Sequence, residues 1–474
     1  MNVTSRTKII ATMGPASAPK EILREMFLAG LNICRLNFSH SSYDEHLKII
    51  NTIRELNQEL GTCVAILADL QGPKLRIGEV ENNAVQLTEG KEILFVNEKC
   101  IGTAQRVYMT YQEFPNDVKA GEFILIDDGK LKLQVIETNR KDTVKAKVIY
   151  GGILSSKKGV NLPNTKVSLP SLTEKDIKDA NFAIDNDVDW IALSFVRTAT
   201  DIVDIKEIIK HKKKNTSVIA KIEKPEALKE IDNIIDLTDG IMVARGDLGV
   251  EVSFEQVPLI QKHLVQKCLK ASKPVIIATQ MMESMITNFR PTRAEATDVA
   301  NAVIDGADCL MLSGETSTGK YPAGVIEAMH NIIGYTEQQG YCYYRSHPPV
   351  EFNRTILTDS ICHTACKLAE QSNAKAIITF SNADNAAFKI AGYRPNADIY
   401  FFTNHKEIVN RMSLIWGIKA FYFDKNDTID QAIEYTINFL KEKGLISADD
   451  MVVHVASTPF HKNDRANMLK LTYV

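Results

Sequence analysis

The sequence predicts an α/β protein: a closed (β/α)8 TIM barrel with an inserted small β-barrel lid domain and a C-terminal α/β domain. Three observations lead there. Before about residue 340, eight short apolar runs rich in β-branched residues alternate with amphipathic helical stretches. Eight βα units imply a parallel sheet closed on itself. Within residues 73–168 the pattern changes to a period of two, as in half-buried antiparallel strands. Beyond residue 345, helix-like and strand-like segments form a separate alternating set.

The barrel strands are expected at 8–13, 31–36, 63–69, 189–195, 217–222, 240–245, 274–279 and 308–313, with helical periodicity between them, as at 254–271 and 293–306. The connection after strand three is far too long for a βα loop. Strand-like runs at 84–87, 92–96, 123–126, 131–136 and 143–148 fill it, with Asp127-Asp128-Gly129 as a hairpin signal between two of them. An insertion at that point rises above the C-terminal face of the barrel, where a lid belongs. In the last part, helical 358–371 leads into strand-like 374–380, followed by 385–392, 398–403, 418–423, 428–444 and 451–456, a pattern expected of a second parallel sheet. The expected domains are therefore barrel 1–72 and 169–344, lid 73–168 and C-terminal domain 345–474.

Composition narrows the functional classes. The 474 residues are 45% hydrophobic and 24% charged with net charge −3, so no global field favours nucleic acid or an acidic membrane. The basic run Lys212-Lys213-Lys214 follows a helical pattern and reads as a solvated helix end. Eight scattered cysteines without a CxxC pair suggest neither a zinc site nor a disulfide framework, and Cys362 and Cys366 read as buried thiols. The polar start runs directly into a strand without the pattern of a secretory leader, and no apolar stretch is long enough to span a bilayer. A reducing cytoplasm is the expected compartment.

In a (β/α)8 barrel the chemistry lies at the C-terminal strand ends. Here strand two ends in Arg35-Leu36-Asn37-Phe38-Ser39-His40, and strand three in Asp69-Leu70-Gln71-Gly72-Pro73-Lys74-Leu75-Arg76. Strands five and six contribute Lys221, Glu223, Arg245 and Asp247, strand seven Thr279-Gln280, and strand eight Ser313-Gly314-Glu315-Thr316. Either carboxylate alone is equally compatible with a structural ion pair at a barrel rim; convergence of six strand ends argues for a site. Glu223 and Asp247, without a nearby His or Cys, suit a hard cation such as Mg2+ or Mn2+. Arg35, Arg76 and Lys221 supply the positive charge that a transferring phosphoryl group requires. Ser39 and His40 are sequence neighbours that point opposite ways along a strand, so a Ser–His nucleophile is disfavoured.

The chain resembles the pyruvate kinase family over essentially its whole length. The resemblance is carried by T-K-I-I-A-T-M-G-P-A-S, R-L-N-F-S-H, L-Q-G-P-K-L-R-I-G, K-K-G-V-N-L-P, S-L-T-E-K-D, A-K-I-E-K-P-E and A-R-G-D-L-G-V-E, then A-T-Q-M-M-E-S-M through R-P-T-R-A-E-A-T-D-V-A-N-A-V-I-D-G-A-D and L-S-G-E-T-S-T-G-K-Y-P. It implies phosphoryl transfer from phosphoenolpyruvate to ADP, giving pyruvate and ATP, in a homotetramer. By position, Arg35 binds the substrate phosphate. Glu223 and Asp247 hold the divalent metal, and Lys221 neutralises the phosphoryl oxygens and then the enolate. Gly246, Asp247 and Thr279 hold the substrate carboxylate, and Thr279 acting through water is one candidate proton donor. Arg76 and Lys158 face the nucleotide, with Asn37 and His40 beside them. Asn37, Ser39, Asp69 and the Leu70 carbonyl match the family's monovalent-cation site.

Two departures from the family pattern carry expectations. Lys74 stands where many members have a Glu, and its tethered charge takes the part of potassium, so K+ is not expected to be required. The stretch Ser381-Asn382-Ala383-Asp384-Asn385-Ala386 has no Gly, and Ser457-Thr458-Pro459-Phe460-His461-Lys462 lacks the family's glycines. Activation by fructose 1,6-bisphosphate is therefore not expected. A lyase or aldolase with a metal-stabilised enolate and a non-catalytic binding protein on the same fold are the alternative readings.

Overall fold

The computed structural model describes residues 5–345, 348–349, 355–380, 385–424, 428–458 and 465–474. Eight strands form the closed barrel: β1 (Lys8–Thr12), β2 (Ile33–Asn37), β3 (Ala65–Asp69), β4 (Trp190–Leu193), β5 (Ser217–Ile222), β6 (Gly240–Ala244), β7 (Val275–Ala278) and β8 (Cys309–Leu312). They follow sequence order around the ring, every neighbouring pair is parallel, and β8 closes on β1.

The alternation of side chains along a strand sorts these residues into two layers. Ile9, Ile66, Val218 and Ile241 face outward into the core shared with the helices. Ile10, Ile33, Leu67, Trp190, Ile219 and Met242 fill the barrel interior. The same parity, continued to the strand tops, turns Thr12, Arg35, Asp69, Ser194 and Lys221 inward above that apolar plug. Capping boxes start several of the surrounding helices, including Ser42–Glu45, Thr173–Asp176 and Thr292–Glu295, each cap contributing about 1 kcal/mol.

The insertion after β3 forms a sheet-rich domain with its own apolar core. Its hairpin Phe123–Ile126/Leu131–Thr138 turns through Asp127, Asp128 and Gly129, all at positive φ, as the Asp-Asp-Gly signal requires. Three short strands, Arg106–Tyr108, Gly152–Leu154 and Val160–Asn161, were not legible from periodicity. The two chain crossings between barrel and lid are pinned. Gly72, at φ +69, donates its amide to Asp176 Oδ1 at 2.9 Å, and Arg197 donates to the carbonyls of Val167 and Leu169.

The C-terminal domain is a five-stranded sheet in the order β11 (Ile418–Tyr422), β10 (Asp398–Thr403), β9 (Ala376–Phe380), β12 (Met451–Ala456), β13 (Met468–Tyr473). Four strands are parallel, and the terminal β13 joins antiparallel at the edge, a strand the sequence reading did not include. The domain seals the barrel floor. Trp190 Nε1 donates to the Arg411 carbonyl at 3.1 Å, and buried Arg394 pairs with Asp308 at 2.9 Å. Cys362 and Cys366 are buried thiols, as expected. Among the described residues no helix is long and apolar enough to cross a membrane.

Candidate active site

The strand tops assemble one bonded charge cluster. Lys221 Nζ reaches Asp69 Oδ1 at 3.1 Å, Glu223 Oε1 at 2.9 Å and the Ser194 hydroxyl at 2.7 Å. Arg35 Nε donates to Asp69 Oδ2 at 2.7 Å, and a terminal nitrogen of Arg35 donates to Thr12 Oγ1 at 2.8 Å. Glu223 Oε2 accepts the Phe195 amide at 2.9 Å. Asp69 is thus shared by both cations and fixes their spacing.

Burial and charge oppose each other here. Burial disfavours the Asp69 carboxylate, but Lys221 and Arg35 outweigh it and hold its pKa below the usual carboxylate range. Burial also disfavours the Lys221 ammonium, yet Asp69 and Glu223 hold its pKa above the ordinary lysine value. For Glu223, burial prevails over the attraction of Lys221, and the neighbouring Asp247 charge adds to it, so its carboxyl is raised. Three carboxylates against two cations leave the cluster one negative charge. A divalent cation would reverse that sign and relieve the Glu223–Asp247 repulsion.

Glu223 and Asp247 fit such a cation. They offer only oxygen, the donor preferred by Mg2+ and Mn2+. No group of three or more His, Cys, Asp or Glu side chains gathers as a closed metal site among the described residues. A two-carboxylate site leaves coordination positions to substrate oxygens and water, as Mg2+ sites usually do.

The β6 and β7 ends build a backbone feature beside the cluster. Gly246 N donates to Thr279 Oγ1 at 2.8 Å, and that hydroxyl donates to the Ala278 carbonyl at 2.6 Å. A Cβ at Gly246 would stand 3.3 Å from Thr279 Oγ1, so a side chain there would crowd the Thr. Thr279 and Gln280 have φ of +69° and +53°, and Phe195 has +55°. Such non-Gly conformations cost on the order of 1–3 kcal/mol each and gather at functional sites. Arg245, a rim residue by sequence, is instead a strut. It pairs with Asp298 at 2.7 Å and donates to the Thr279 carbonyl at 2.7 Å.

Other sequence-selected residues distribute around this centre. Lys74 is exposed and, with Asp128, Asn161, Phe195, Lys224 and Asp247, lines a narrow cleft between lid and barrel. Arg76 bridges Gly159 through its backbone, but its guanidinium donates to the Lys157 carbonyl at 2.8 Å and the residue lines a separate groove beside Tyr108. Lys158 pairs with Asp127 of the lid hairpin at 2.8 Å. Asn37 Oδ1 accepts the Ser39 amide at 3.1 Å, the Leu70 carbonyl accepts the Ser194 hydroxyl at 2.6 Å, and His40 is exposed. Thr12 and Ser194, which the sequence reading did not select, complete the cluster. Strand parity was the signal that identifies them, since each falls on the inward register two residues beyond a core residue.

Comparison with known proteins matches this architecture. A family profile described as "Pyruvate kinase, barrel domain" matches residues 4–326, and one described as "Pyruvate kinase, alpha/beta domain" matches residues 359–472. Pyruvate kinases of Staphylococcus aureus strains MRSA252 and USA300 are each 40% identical over 479 aligned residues, covering 99% of this chain and 80% of theirs. The crystal structure of a pyruvate kinase from Cryptosporidium parvum superposes with a TM-score of 0.92 at 33% identity, covering 99% of this chain and 96% of that one.

Proposed function

The chain belongs to the pyruvate kinase family, and on that premise we propose that it transfers the phosphoryl group of phosphoenolpyruvate to ADP, giving pyruvate and ATP. The observation that carries this reading is the preset spacing of Arg35 and Lys221 on the shared carboxylate Asp69. Two cations held in place meet a triply charged substrate without reorganising, which is where electrostatic catalysis gains most.

In this reading Arg35 orients the substrate phosphate. Lys221 follows the charge, first on the transferring oxygens and then on the enolate oxygen, while Ser194 and Asp69 keep its ammonium in place. The substrate carboxylate takes over the bond between Gly246 N–H and the Thr279 hydroxyl. Thr279, acting through water, is the candidate proton donor to the methylene carbon of the enolate. Glu223 and Asp247 would hold the divalent cation, Mg2+ or Mn2+, which supplies Lewis-acid charge to the bound oxygens. Lys158 and Arg76 serve the nucleotide, with Asn37 and His40 beside them, once the lid side chains turn from their partners Asp127 and Lys157.

Potassium independence is part of the proposal on sequence grounds: a tethered ammonium at Lys74 would lower the value of a second cation among Asn37, Ser39, Asp69 and the Leu70 carbonyl. Absence of activation by fructose 1,6-bisphosphate stays part of the proposal on sequence grounds; residues 381–384 and 459–462 lie outside the described residues. The same reading keeps the domain divisions after residues 72, 168 and 344, a homotetramer and a cytoplasmic location. The decisive experiment is a direct ATP assay with phosphoenolpyruvate, ADP and Mg2+. Pyruvate formed without stoichiometric ATP would overturn the kinase reading in favour of a lyase.

A further inference from the structure

Glu251 ends the short helix Arg245–Glu251 that follows β6 and carries Asp247 in its first turn. Asp247 and Glu251 are four residues apart and so share a helix face. Glu251 Oε1 pairs with Lys224 Nζ at 2.6 Å, with side-chain exposures of only 2% and 12%. Lys224 directly follows Glu223. The pair therefore ties the loop after β5 to the helix after β6, one residue from one carboxylate and one helical turn from the other. A second route runs through Phe195. Lys224 Nζ sits 5.7 Å from the centroid of its ring, and its amide holds Glu223 Oε2. Onto the same Glu251 Oε1 the lid sets one side chain, Asn161 Nδ2, at 2.9 Å. The two covalent crossings of the lid are pinned elsewhere, by Asp176 and Arg197. The Asn161 bond is a side-chain contact that can part while those hold.

We propose that Lys224 and Glu251 are positioning residues that set the separation of Glu223 and Asp247, and that Asn161 couples lid docking to that separation. This rests on the reading of Glu223 and Asp247 as divalent-cation ligands. A shielded ion pair next to metal ligands resists the mutual repulsion of those ligands, and loss of such an outer partner typically weakens metal binding by ~10–100-fold. The lid's Asn161, by completing the hydrogen bonding of Oε1, makes the carboxylate spacing depend on whether the lid is down.

Mn2+ binding to the full-length protein, measured by electron paramagnetic resonance of free Mn2+ without substrates, tests this. Lys224→Met and Glu251→Ala should each weaken Mn2+ binding on the order of tenfold, and Lys224→Arg should restore it. Asn161→Ala should weaken it less and add nothing on the Glu251→Ala background, since both act through one oxygen. Unchanged Mn2+ affinity in Lys224→Met would overturn the proposal, as would additive loss in the Asn161→Ala/Glu251→Ala double variant. If Glu251→Ala does not fold by circular dichroism, the Met and Arg variants at Lys224 decide. A rise confined to the ADP KM in Lys224→Met would make Lys224 a nucleotide contact and also overturn it. Glu223→Gln separates the two readings: if it binds Mn2+ like the wild type, the metal assignment itself has failed.

Discussion

Lys221 on β5 and Asp69 on β3 lie 3.1 Å apart across the intervening strand β4, whose Ser194 hydroxyl accepts from the same ammonium at 2.7 Å. Asp69 also receives Arg35 from β2 and, at 3.5 Å, the Ser194 hydroxyl at the end of β4, so one carboxylate links the tops of all four strands β2 to β5. In the proposed mechanism, Lys221→Met removes the charge whose value grows toward the transition state. The expected result is a kcat lower by ~10²–10³, with the phosphoenolpyruvate KM changed little. Steady-state kinetics check it; near wild-type turnover would disprove the role.

Asp69→Asn should act on stability as well as rate. Loss of a buried partner exposes Arg35 and Lys221 to each other, a cost of ~3–5 kcal/mol in comparable buried pairs. Because the folded pKa of Asp69 is depressed, its contribution is present above the unfolded value near pH 4 and is lost as pH falls through the folded value. Denaturant unfolding should therefore show a large gap between variant and wild type at pH 7 that narrows in strong acid.

Lys74 sets the potassium prediction. Wild-type activity should be similar in potassium and in tetramethylammonium at equal ionic strength. Lys74→Glu should lower activity and make the remainder depend on potassium. Wild-type stimulation by potassium of about tenfold, ~1.4 kcal/mol of barrier, would refute the assignment.

Gly72→Ala tests the junction between lid and site. At φ +69 a Cβ is strained, and it would fall 2.5 Å from Phe195 Cδ2, whose backbone amide holds Glu223. A destabilisation of roughly 1–3 kcal/mol is expected, together with lower kcat, because relief of the clash must move Phe195. Thermal unfolding and turnover measured together would show both; a change in stability alone would uncouple Gly72 from the site.

His454 predicts an acid weakness in the C-terminal domain. It is fully buried, and neither ring nitrogen has a hydrogen-bond partner among the described residues. Burial, with Lys470 nearby, lowers its pKa from 6.5 to about 4. A depressed histidine leaves stability complete above pH 6.5 and erodes it as pH falls toward 4, at up to ~1.4 kcal/mol per pH unit. His454→Leu should flatten that slope in thermal unfolding between pH 7 and 4.5; an unchanged slope would count against it.

The eight barrel strands, the inserted domain and most of the C-terminal sheet were legible in the sequence because each depends on local hydrophobic period and turn chemistry. The Asp127-Asp128-Gly129 hairpin shows this well, since its positive φ values are written in its residue types. Lys221, Glu223 and Asp247 were legible as charges ending apolar runs. What only the tertiary structure decided are relations between distant segments. The antiparallel edge strand β13, Arg245 as a strut to Asp298, the turn of Arg76 toward Lys157, and the meeting of Asn161, Lys224 and Glu251 on one oxygen belong to this class. A side chain's type states what it can bond. Which partner it meets depends on barrel closure and lid docking, and those bring together residues tens to hundreds of positions apart.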